Sequence, residues 1–157
     1  CFLDYSLSPF TQNFLQSLVY GYYKRDYKSV PFPLLFVVLP IVFREDLCIV
    51  INSTQQASGF SKVSEKLFKG FSNDRLLSVN NAALSMRELT LQSFNIGMAA
   101  NLYSMDFDTA YVFPLRQTNR SGLSIPTKRL LSVSEKMGGW CAELSLLEIC
   151  NLLKVRF

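Results

Sequence analysis

The stretch VPFPLLFVVLPIVFRE, residues 30–45, limits the fold more than any other part of this chain. From Pro31 to Phe43 it carries thirteen residues without a charge; two prolines open the run and Pro40 stands inside it. Thirteen residues make ~20 Å of helix, short of the ~30 Å hydrocarbon core of a bilayer, so the run is not a membrane span. A segment that is apolar all round must be covered on all sides. Leu34 to Arg44 is therefore expected to form a buried helix, kinked where Pro40 removes a backbone hydrogen bond. A strand is the rival form, given Val37, Val38, Ile41 and Val42, but proline is even less welcome in a central strand. The packing of this helix is either all internal or partly against another protein.

The length, 157 residues, suits one domain with one core. Apolar residues make up 49% and charged residues 18%, against a usual ~25%. That balance excludes disorder and suggests more apolar surface than a lone domain buries, which points to a partner. The net charge of +4 is mild, and the cations are scattered: Lys24, Arg25 and Lys28 in one group, Arg116 with Arg120, and Lys128 with Arg129. Such groups are solvated faces or phosphate contacts.

The four cysteines, Cys1, Cys48, Cys141 and Cys150, show no CxxC spacing, and there is no histidine. No zinc site and no cofactor is expected, and the apolar contexts of Cys48, Cys141 and Cys150 suit buried thiols in a reducing, cytoplasmic setting. The opening CFLDYSLSPF has an acid and no basic region, unlike a signal peptide. Because residue 1 is not Met, further residues of the native chain are expected before it.

Along the chain, helical patterns dominate. Ser8-Pro9 reads as N-cap and first turn of a helix from 9 to about 25, striped by Phe10, Phe14, Leu18 and Tyr22. Glu45 to Ile51 continues as helix or strand. A short helix is expected over Phe60 to Phe71, another capped by Asn73-Asp74 with Leu76, Leu77, Val79, Ala83 and Leu84, and a third over Met86 to Ala100. LYSMDFDTAYVFPL, residues 102–115, reads as two short strands and a turn. Arg116 to Pro126 is a loop. Thr127 begins a helix to about Leu144, interrupted at Gly138-Gly139, and Ser145 caps a last helix, Leu146 to Leu153. The expected fold is mainly α: a single compact helical domain, 1–157, with a short β-hairpin. It has an N-terminal helical part at about 8–52, a winged-helix-like unit as one form of about 60–115, and C-terminal helices at about 127–153.

No catalytic constellation emerges. Without histidine, Ser-His and Cys-His arrangements are impossible. Asp106 and Asp108 are placed where turns favour Asp, no third ligand-rich segment joins them, and no glycine-rich loop has phosphate-binding spacing. The chain is expected not to be an enzyme.

Three pieces in order, SPFTQNFLQSLVYGYYK, VPFPLLFVVLPIVFRE and SVSEKMGGWCAELSLLEICNLLKVRF, resemble one family. It is the middle component of three-component ABC systems, a bacterial defence family that includes the small accessory subunit of Lamassu. The matching positions are Ser8-Pro9, Pro31 to Pro40, Ser134 to Trp140, and Leu153 to Arg156. The chain departs at Gly139, where the family usually has Arg, at Lys154, where Gly is usual, and at Phe157, where Pro is usual.

The resemblance implies a non-enzymatic subunit that joins an SMC-like (Rad50-like) ABC ATPase to an effector, commonly a nuclease. It would hold the effector inactive until foreign DNA is sensed, with double-stranded DNA met through the complex and no membrane involved. Phe36, Trp140, Tyr20, Tyr22 and Tyr23 are candidate interface anchors, because aromatics often anchor interfaces, and Arg156 in the matching tail is another. Core packing is the plainer role for each aromatic. The alternative function is a winged-helix DNA-binding regulator, with Arg116, Arg120, Lys128 and Arg129 beside the hairpin reaching phosphates.

Overall fold

A computed structural model of the chain describes residues 10–68 and 80–153. In order these form α1 (Thr11–Asp26), β1 (Val30–Pro31), a 3-10 segment (Phe32–Val37), α2 (Val38–Val42), α3 (Glu45–Ser53), a 3-10 turn (Gln56–Ser58) and α4 (Gly59–Phe68). After helical residues 80–85 come α5 (Arg87–Ala99), β2 (Tyr103–Asp106), β3 (Tyr111–Pro114), α6 (Ile125–Cys141) and α7 (Leu146–Leu153). The protein is mainly α with one short hairpin, as its periodicity predicts. The expected helix start at Ser8-Pro9, the Asn73-Asp74 cap, the stripe residues Leu76, Leu77 and Val79, and Arg156 lie outside the described residues.

The apolar stretch is not one kinked helix. Pro31 and Pro33 start a 3-10 segment, which hands over to α2 at Val38. Pro40 is the third residue of α2, a position whose N–H would have no partner within the helix, so proline costs little there. Burial is as expected: Leu34, Leu35, Val37, Val38 and Leu39 are wholly inaccessible. The chain turns at Phe43–Arg44, and Glu45 and Asp46 open α3, where carboxylates favour the helix dipole.

α1 and α6 form the central pair, packed along most of their lengths. Glycines on both helices allow the approach. A Cβ at Gly138 would stand 2.8 Å from the Tyr22 backbone nitrogen and nearer still to the Leu18 carbonyl oxygen; one at Gly21 would stand 2.8 Å from the Glu135 carbonyl carbon. The glycines therefore do not interrupt α6, which runs unbroken from Ile125. Its N-cap is Ser124, whose Oγ accepts from the Thr127 N–H, with Pro126 in the first turn. Ser145 caps α7 as expected, its Oγ accepting from the Glu148 N–H at 3.2 Å while the Glu148 carboxylate accepts from the Ser145 N–H.

The sheet has the order β1-β3-β2, all antiparallel. Its third strand, the dipeptide Val30–Pro31, is too short to carry a sequence signal. Tyr103 is fully buried beneath the hairpin; its hydroxyl donates toward the Ser93 and Phe94 carbonyls at 3.1 and 3.2 Å, in space left open by Gly97.

Residues 69–79, in the middle of the expected winged-helix-like unit, lie outside the described residues. α4 packs chiefly on α3 and α6, whereas α5 packs on α1, and the hairpin pairs with β1 from the N-terminal part. α5 also meets the hairpin, where the Phe94 and Tyr103 rings stack at 5.3 Å. No helix among the described residues is long and apolar enough to cross a membrane.

Both deep thiols are poorly placed to ionise. Cys48 donates to the Ile41 and Val42 carbonyls at 3.4 and 3.1 Å, and burial, then Asp46 and Glu45, push its pKa to about 12 from an ordinary 9.0. Burial alone takes Cys141 to about 12. Since the thiolate is the reactive form, neither should react with a maleimide at pH 8 until the chain is unfolded in urea. Site-resolved mass spectrometry reads the outcome, and rapid native labelling at either position would contradict it. The linkage has a definite sign. These raised values stabilise the fold fully below pH 9.0, and that contribution is lost as pH climbs toward about 12, because the unfolded chain ionises first.

Candidate interaction surfaces

The segment Ser134 to Trp140 is a seam between α6 and its neighbours. Ser134 is buried and donates to the Leu130 carbonyl at 3.0 Å. Glu135 pairs with Lys24 of α1 and, at 2.6 Å, with Arg120 of the preceding loop. Lys136 sends its ammonium to the carbonyls of Asn52 and Thr54 at 3.1 and 3.0 Å, at the C-terminal end of α3. Cations are favoured there, because helix C-termini expose unpaired carbonyls and carry partial negative charge. Met137 and Trp140 are wholly buried, and the indole Nε1 donates to the Gln56 carbonyl at 2.8 Å.

The expected interface anchors differ in exposure. Trp140, with 0% exposure, belongs to the core of this chain rather than its surface, and Tyr22 is also buried. Burial, then Cys141 and Tyr111, raise the Tyr22 hydroxyl above its ordinary range. Tyr20 and Tyr23 are half-buried on the outer side of α1; the Lys24 ammonium lies 5.5 Å from the Tyr20 ring centre, and Tyr23 meets Tyr27 edge-to-face. Phe36 is half-buried between the Phe32 ring and the Arg87 guanidinium. At Gly139, Arg25 donates to the backbone carbonyl at 3.3 Å and pairs with Glu143.

The four basic candidates differ in their partners. Arg116 donates to the Ala100 carbonyl at 2.6 Å, just beyond α5. Arg120 is bound to Ser132 and Glu135. Lys128 and Arg129 are exposed on the first turns of α6, and neither pairs with a carboxylate among the described residues. Asp106 and Asp108 lie at the exposed hairpin tip, where the Asp106 carboxylate accepts from the Asp108 N–H at 2.9 Å, a turn-forming role.

A groove of about 740 Å³ opens between the start of α1, the α2–α3 junction and the start of α6. Phe10, Val42, Cys48 and Leu130 line it, with Glu45 and Arg129 supplying one charge of each sign. Sequence reasoning missed it because its walls come from three separate segments.

Over residues 3–157 the sequence matches the family described as ABC-three component (ABC-3C) system Middle Component 3. The chain belongs to this family. No curated protein and no solved structure gives a match. The middle component is thus an accessory subunit of an ABC-three component system. Two of the segments that carry the resemblance, the apolar stretch and Ser134 to Trp140, contribute side chains to the same core.

Proposed function

We propose that this middle component is a non-catalytic assembly subunit of a cytoplasmic bacterial defence complex of the Lamassu type. It joins an SMC-like ABC ATPase to an effector nuclease and holds the effector inactive until the ATPase meets foreign double-stranded DNA. Membership of the middle-component family across residues 3–157 carries this reading.

The rival reading, a DNA-binding regulator, has little support. Arg116 and Arg120 are spent on internal contacts, and the hairpin that would serve as a wing carries two acids and no base. Coexpression with the ATPase and effector encoded beside it should yield one complex on size-exclusion chromatography, with nuclease activity on plasmid DNA rising when the middle component is omitted. A chain that elutes alone while the other two associate would sink the proposal.

A further inference from the structure

The hairpin has one face in the core and one outside. Tyr103 and Val112 point inward and are fully buried. The alternate positions, Asp106 opposite Tyr111 and Ser104 opposite Phe113, point the other way. Phe107 at the tip is 76% exposed, and Tyr111 and Leu115 are 45% and 50% exposed. Single exposed apolar residues are ordinary, but three gather here, Phe107, Tyr111 and Leu115, with half-buried Phe113 at the position between the last two. The turn is held by two hydrogen bonds, Asp108 N–H to the Asp106 carboxylate and Ala110 N–H to the Asp106 carbonyl at 2.7 Å, so Phe107 is presented in a fixed place.

Charge narrows the occupant. Residues 103–114 hold two acids and no base in a chain of net charge +4. Neither carboxylate forms an ion pair with a cation among the described residues. Two carboxylates flanking an exposed ring repel phosphate, which disfavours nucleic acid and anionic lipid. They suit a protein whose apolar patch is bordered by Lys or Arg.

We propose that the outer face of the 103–114 hairpin, with Phe107 as its anchor, docks onto one protein partner of the assembly through an apolar patch with a basic border. This rests on the assembly reading above. The test measures association of the full chain with each partner separately, using three forms: wild type, Phe107→Ser/Tyr111→Ser, and Asp108→Lys. The double variant should bind one partner at least tenfold more weakly and the other as wild type does, a pattern that general unfolding would not give. Asp108→Lys removes no contact of the Asp108 side chain among the described residues, so its fold is preserved. Its defect should be largest at low salt, where surface charge is least screened. Wild-type binding of both partners by both variants overturns the hairpin proposal and leaves the assembly reading standing. A wild-type chain that binds neither partner removes the assembly reading, and the hairpin proposal with it.

Discussion

Replacing Gly138 by alanine will make the chain unfold about 2–3 kcal/mol more easily, a loss of roughly 4–10 °C in melting temperature for a protein of this size. On an exposed helix the same change would stabilise by up to ~1 kcal/mol, because alanine is the better helix former. The sign is reversed here because the added methyl group would collide with the Leu18 carbonyl and the Tyr22 backbone nitrogen, which belong to a helix and cannot swing aside. Gly21→Ala drives a methyl group into the Glu135 backbone across the same helix pair and should cost a similar amount. Both clashes are relieved by the same movement, separation of α1 from α6, so the double variant should lose less than the sum of the two. Gly122→Ala is the control: its Cβ meets nothing within 4 Å, and only its φ of +74° is unfavourable, at about 1 kcal/mol. Equilibrium urea unfolding measures all four. A stabilised Gly138→Ala chain would show that the two helices do not pack at this distance.

Much of the fold is legible in the sequence, for reasons that hold locally. α1, α5, α6 and α7 were expected from apolar spacing, and the Ser145 cap and the hairpin from turn chemistry. The errors have one origin, that a segment's role is set by what lies beside it. Pro40 was expected to kink a helix, yet a 3-10 segment ahead of it moves it into a first turn, where it is harmless. Gly138-Gly139 was expected to interrupt α6, yet the pair lies within an unbroken helix that needs a bare backbone to meet α1. The dipeptide Val30–Pro31 becomes a strand because β3 is there to pair with it.

The candidate site was less legible. Aromatic type alone marks Trp140, Tyr22 and Phe36 equally as anchors, and burial then separates them. Sequence leaves the basic residues open as solvated faces or phosphate contacts, and does not show that Arg120 binds Glu135 or that Arg116 binds the Ala100 carbonyl. Phe107 is the readable signal, because an aromatic between two aspartates in a turn is hard to bury, and it is 76% exposed. Of the motifs that carry the family resemblance, the described residues of Pro31 to Pro40 and Ser134 to Trp140 contribute largely to the core.

Trp140 offers the sharpest separation between a packing residue and an interface residue. Trp140→Ala should cost about 3–5 kcal/mol, since it empties a fully buried indole-sized volume at the junction of α6 with the Gln56–Ser58 turn. Against a total stability of ~5–15 kcal/mol, that change removes a large part of the margin, and nearly all of it at the lower end of the range. Trp140→Phe keeps most of the apolar volume but leaves the Gln56 carbonyl without its donor, a cost of about 1–3 kcal/mol. The phenylalanine chain should therefore remain folded at 10 °C and bind its partners there as tightly as wild type, because nothing of Trp140 reaches the surface. Calorimetric melting and binding at 10 °C together decide the matter. A Trp140→Phe chain with wild-type stability but weakened association would mean that the indole leaves the core when the complex forms.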